Sequence, residues 1–235
     1  MNLIDLAVVL IFVLFVLNGL YRGFLPSLFN MCGLFVSWAC AFLFYPLLSA
    51  NLMENPLFSS MRFYIEGAER IGTGEAFELS KLDITGIGSD RLPYIIENAS
   101  LPPPFDKAVL HNIENRVYSD KGLFTLGEYF DETIYHVMMN IFAFVIIFLV
   151  ILVITTLISN AFSYAAKVPE IRHFDTVTGG LIGLIRAFFF MFVLFSMIPI
   201  VLILLPVTFV TDMINDSVAC SIFYSGSIIL NFIAV

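Results

Sequence analysis

The sequence predicts an all-α integral membrane protein: four transmembrane helices as two hairpins, with a large extracytoplasmic loop and a short apolar C-terminal segment. Three observations carry this. The 235 residues are 60% hydrophobic and 13% charged, with a mean hydropathy of +0.95, whereas soluble domains run at about half apolar and a quarter charged. The apolar residues gather into runs long enough for a bilayer, which takes about 20 residues of helix. The charges gather as well: of the formal net charge of −8, the stretch 49–136 holds −7, from seven Lys and Arg against fourteen Asp and Glu.

The elements follow in order. Residues 1–48 form the first transmembrane hairpin. Leu6–Leu20 is almost purely Leu, Val, Ile and Phe, flanked by Asp5 and Arg22. It lacks the basic start and small-residue cleavage site of a secretory signal, so it reads as a retained helix. Phe24–Leu48 is the second span, speckled with Ser27, Asn30, Gly33 and Ser37. Small and weakly polar residues let helices approach closely in lipid, so this span is expected to face protein more than the first does. In an assembly of copies, Ser27, Asn30 and Ser37 would line a pore.

Residues 49–136 read as an acidic extracytoplasmic module. Apolar anchors such as "MRFYI" and "LPYII" predict short helices lying on the membrane or the bundle. Residues 137–210 form the second hairpin, with a third span at Val137–Ser159, a connector at Asn160–Asp175 and a fourth span from Thr178 to about Leu202. Pro199 and Pro206 are places to kink or end it. The tail, 211–235, has an apolar run too short to cross, and an interfacial helix is favoured over a fifth span.

Orientation follows the Lys and Arg of short connections. Arg22 lies in one such connection and Lys167 and Arg172 in the other, on one face of a four-span protein. That face is taken as cytoplasmic, with the N-terminus, the acidic module and the C-terminus outside. Arg186 then lies inside the fourth span, below the same face as Arg22. Intramembrane arginines are usually paired or functional, and Asp175 is the obvious acid by depth. Direct pairing would need the chain to bend, and Asp5 belongs on the opposite face.

Gly179, Gly183 and Ala187 are spaced by four, as are Gly19 and Gly23. On membrane helices such stripes make close-packing faces, lining either a helix contact, a pore or a dimer seam. Cys32, Cys40 and Cys220 show no disulfide or metal spacing. His111, His136 and His173 are scattered, and none has a neighbouring acid or histidine at ligand spacing. No GxSxG, HExxH or Walker signature is present, so neither an enzyme nor a cofactor or metal is expected. No basic stretch suggests nucleic acid. The expected partners are the lipid bilayer, further copies of the chain and an envelope protein at the acidic module.

The early acid of "LIDLAVVL" (Asp5), "GLYRGF" (Gly19, Arg22, Gly23, Phe24) and "FDTVTGGLIGLIRAF" (Asp175, Gly179, Gly180, Gly183, Arg186) together resemble the colicin V production protein family of bacterial inner-membrane proteins. The resemblance covers the four spans and none of the acidic module. Ala187 stands where the family commonly has a second "RG" glycine, and the module is longer than in enterobacterial members. The resemblance implies a multi-pass protein tied to production or export of a peptide toxin and to envelope function, and it implies no known reaction. The leading expectation is a small channel-like oligomer. The alternative is a non-conducting scaffold or sensor that binds an envelope partner through the acidic module, and an intramembrane enzyme comes third.

Overall fold

The computed structural model of the chain describes residues 2–65, 67–71, 77–88, 90–99, 101–165, 172–205 and 207–234. These are helical apart from turns and one isolated antiparallel bridge, Asp83 to Thr125. The α-helices are α1 (Leu3–Arg22), α2 (Phe24–Glu54), α3 (Pro56–Ser59), α4 (Phe77–Ser80), α5 (Leu92–Asn98), α6 (Phe105–Glu114), α7 (Leu126–Ala165), α8 (Arg172–Phe195), α9 (Ile198–Leu204), α10 (Thr208–Asn215), α11 (Val218–Phe223) and α12 (Ile228–Ile233). Among the described residues four stretches are long and apolar enough to cross a membrane: Leu3–Arg22, Phe24–Glu54, Leu126–Ala161 and Asp175–Leu204. This is the multi-pass, all-helical protein expected from composition.

Several ends differ from the expected ones, each for a local reason. The third long helix begins at Leu126 rather than near Val137. Its acidic first turns look like loop in hydropathy, yet "TLGE" is a capping box. The Glu128 carboxylate accepts from the Phe124 and Thr125 amides at 3.0 and 2.9 Å, and the Thr125 hydroxyl accepts from the Glu128 amide at 3.4 Å. The second helix continues through Pro46 to Glu54. The fourth span is not continuous: α8 ends at Phe195 and α9 starts at Ile198, with Pro199 in its first turn, where a missing amide hydrogen costs least. The connector narrows, because residues 160–165 and 172–175 are helical; Lys167 lies outside the described residues. The tail forms three helices of eight, six and six residues, none of which can cross a bilayer.

The chain divides into two compact units, one of Met1–Tyr45, Ala143–Ile198 and Thr208–Ile229, the other of Pro46–Phe142, Pro199–Val207 and Leu230–Val235. The first unit holds the apolar runs of the spans. In it α1 packs along α8, while Leu6, Leu10, Leu14 and Leu17 stay exposed on the other side, as lipid-facing residues do. Its core is aromatic. Phe188, Phe192 and Phe195 surround Phe223 of α11 at ring distances of 5.2 to 5.5 Å, and Phe35 and Trp38 pack edge-on against Phe189.

The second unit contains the short helices that the apolar anchors predicted. Helix α6 buries Phe105, Ala108, Val109 and Ile113, the spacing of one helical face. The Asn112 amide ties it to Thr133 at 3.1 Å and to the Tyr118 hydroxyl at 3.2 Å. Burial pushes that Tyr118 hydroxyl up to about 12. Tyr129, Phe130, Ile134 and Met138 complete a core with no solvent exposure.

Candidate functional site

The two glycine stripes face each other. A Cβ on Gly19 would collide with the Gly179 carbonyl; one on Gly179 would collide with the Gly19 carbonyl and lie 2.6 Å from the Gly23 carbonyl carbon. One on Gly183 would strike the Phe15 carbonyl. Spans one and four are therefore in backbone contact along an antiparallel register, 15 against 183, 19 against 179 and 23 against 175. The stripes that could have made a pore or a dimer seam are used within the chain. Gly180 packs beside them against Leu20, and Ala187 is fully buried.

At the end of this ladder the chain turns from α1 into α2 through a single residue. Gly23 has φ 82° and ψ −178°, a conformation that side chains disfavour, and its amide closes α1 on the Gly19 carbonyl at 3.0 Å. Asp175 of α8 lies against it and accepts a hydrogen bond from the Phe24 amide at 2.8 Å. A carboxylate there satisfies an orphan amide at the start of α2 and complements the helix dipole. The acid expected for Arg186 is thus committed to the turn after span one, and "YRGF" and "FDT" are two halves of one clamp.

Asp5 holds the other end of the first helix. Its carboxylate accepts from the Asn2 amide at 3.2 Å, the Ser217 hydroxyl at 2.8 Å and the Ala219 amide at 3.0 Å. Ser217 is also the N-cap of α11, accepting from the Cys220 amide at 3.2 Å. The sequence placed Asp5 and the tail on the same side but gave no sign that they touch. The Ser-x-x-Cys run opening an apolar stretch was the available signal.

The two arginines stay outside both clamps. Arg186 is half-buried, and its guanidinium lies 4.7 Å from the centre of the Phe15 ring, a cation–π contact. Arg22 donates to the Asn160 side-chain oxygen. Among the described residues neither has an acid within ion-pair distance.

Ser27, Asn30 and Ser37 are 3%, 4% and 0% exposed, inside the first unit rather than on an outer face. Ser37 donates to the Gly33 carbonyl of its own helix at 2.7 Å. Asn30 differs from it, since neither its amide nitrogen nor its oxygen has a hydrogen-bond partner among the described residues.

The second unit carries a polar cluster that the sequence reading missed. Glu132, 8% exposed, is met by Arg62 at 2.8 Å, Lys121 at 3.0 Å and His136 at 3.1 Å. Arg62 lies over the Tyr135 ring at 4.6 Å and Lys121 over the Tyr118 ring at 5.2 Å. His136 does have a neighbouring acid, then, one helical turn back at Glu132; the expectation of an isolated histidine is corrected. Three basic groups around one carboxylate make an ion-pair network rather than a ligand set.

No curated protein and no solved structure matches this chain. The family model described as Colicin V production protein matches residues 4–69 and 121–227. The match spans both clamps and both arginines. It also reaches into both flanks of the acidic module, further than the four spans expected from sequence, and leaves only its centre unmatched. With most of its length so matched, the chain belongs to the Colicin V production protein family.

Proposed function

We propose that this multi-pass protein serves toxin (bacteriocin) production and export, and with it envelope function, in the bacterial cytoplasmic membrane. In this reading the Arg22 end faces the cytoplasm, and the spans act as a small channel-like oligomer through which a polar species passes. The observation that supports it is Asn30. A carboxamide buried in a span with no partner costs several kcal/mol in lipid, and groups of this kind mark substrate and ion paths. Ser27, one turn nearer the Arg22 end, extends the polar surface. Water or a polar solute would supply the hydrogen bonds that the packed helices do not.

The test is conductance of the reconstituted protein in planar bilayers, wild type against Asn30→Leu. Conductance that Asn30→Leu abolishes without loss of thermal stability supports the reading, and a silent wild type or an unaffected variant overturns it.

A second reading, the non-conducting scaffold or sensor, draws support from the separate core of the second unit, in which Phe105, Val109, Tyr129 and Phe130 are fully buried. A folded module suits docking better than a pore needs. Neutralising its exposed acids Asp90, Glu97 and Glu114 separates the two: bacteriocin secretion falls if the module docks a partner and persists if the spans alone act.

A further inference from the structure

Arg22 and Arg186 pose a problem that the rest of the first unit does not share. They come from α1 and α8, whose glycine ladder fixes their spacing. The Arg186 guanidinium sits at the level of Phe15, seven residues or about 10 Å of helix from Arg22. From inside span four it therefore reaches back towards the Arg22 end, as arginines in lipid do.

Both acids of the neighbouring motifs are occupied elsewhere: Asp175 holds the Phe24 amide and Asp5 holds Ser217 and Ala219 at the far end of α1. Arg22 is positioned by a neutral oxygen, that of Asn160, and Arg186 by an aromatic face. Both contacts orient a guanidinium without neutralising it. Two like charges on adjoining helices, separated by about 10 Å of helix, repel in a low-dielectric setting, and an anion between them relieves the repulsion.

We propose that Arg22 and Arg186 form a phosphate site, with the headgroup of an anionic phospholipid as its ligand. The planar fork of arginine pairs bidentately with phosphate oxygens, so two of them can hold one phosphate from two sides. The Asn160 amide nitrogen, on the side chain whose oxygen already accepts from Arg22, adds a neutral donor to the set. The position suits a lipid: Arg22 ends its helix, where headgroups lie, and the apolar exposed face of α1 beside it, Leu14 and Leu17, gives the acyl chains a surface. Basic pockets between membrane helices recognise anionic headgroups by this chemistry. The site stands whether or not the chain conducts.

The experiment is native mass spectrometry of the full chain in detergent, titrated with phosphatidylglycerol and with phosphatidylcholine, and separately with inorganic phosphate. Wild type is expected to retain phosphatidylglycerol in preference to phosphatidylcholine. Arg22→Gln and Arg186→Gln should each weaken phosphatidylglycerol roughly tenfold, the loss of one charge-assisted contact, with phosphatidylcholine unchanged. Arg186→Lys keeps the charge but not the fork and should fall between; it carries the test if Arg186→Gln does not fold. Equal binding of the two lipids, or phosphatidylglycerol binding indifferent to all three variants, overturns the proposal. Arginine-dependent binding of inorganic phosphate without phosphatidylglycerol also overturns it, showing a soluble phosphate compound as the ligand.

Discussion

Two clusters, one in each unit, treat their cations in opposite ways. In the second, Arg62, Lys121 and His136 converge on Glu132, each within 3.1 Å of its carboxylate. In the first, Arg22 and Arg186 have an amide oxygen and an aromatic ring. The Glu132 cluster uses charge to hold its elements together; α1 and α8 are held by glycine contacts and carboxylate-to-amide bonds, with Arg22 and Arg186 outside any ion pair among the described residues. A cation that the fold does not consume is available to a ligand, and the contrast separates architecture from function within one chain.

The contrast breaks most severely at the glycine ladder. Gly179→Leu places a branched side chain against the Gly19 and Gly23 backbones, where no side chain can move aside. It should destabilise by about 3 kcal/mol or more, seen as loss of folded protein in detergent. A variant that folds with wild-type stability would mean that α1 and α8 are not locked by this contact.

Next in size is Glu132→Ala, which leaves Arg62 and Lys121 facing each other without their acid. Breaking a buried pair costs about 3–5 kcal/mol, and since both cations are half-exposed, about 2 kcal/mol is expected after discounting for solvent. Thermal unfolding measures it, and an unchanged midpoint would show that the cluster is not structural. The smallest effect belongs to Arg186→Leu. With no acid among the described residues to orphan, its stability should stay within about 0.5 kcal/mol of wild type or rise. A drop as large as that of Glu132→Ala would erase the distinction between the units.

What could be read from the sequence, and what could not, follows from the range of each interaction. The spans were legible because apolar runs register in every residue of a 20-residue stretch. The glycine stripes were legible as packing faces, but spacing along one helix cannot name the opposing helix, so the pairing of Gly19 with Gly179 was not. The early start of α7 was hidden because Glu128, Asp131 and Glu132 lower hydropathy whether or not they are helical; only the Thr125-x-x-Glu128 box marked it. Asp175 was assigned by looking for an opposite charge, whereas its partner is the Phe24 amide, which every residue but proline possesses. Arg62 and Glu132 lie 70 residues apart, a separation at which sequence pattern carries no pairing information.

The bond between Asp5 and the start of α11 has a consequence for how the protein is made. The partners are 212 and 214 residues apart, so α1 carries a carboxylate that is synthesised long before the residues that complete its bonding. At about 5–20 residues per second, the interval is on the order of 10–40 s. Throughout it Asp5 has only the Asn2 amide of its three donors, a mark of incompleteness that only synthesis beyond Ser217 and Ala219 removes. A chain cut short before those residues keeps the mark, and a membrane protease or chaperone that recognises exposed polar groups could tell the truncated product from the finished one without inspecting the rest of the fold.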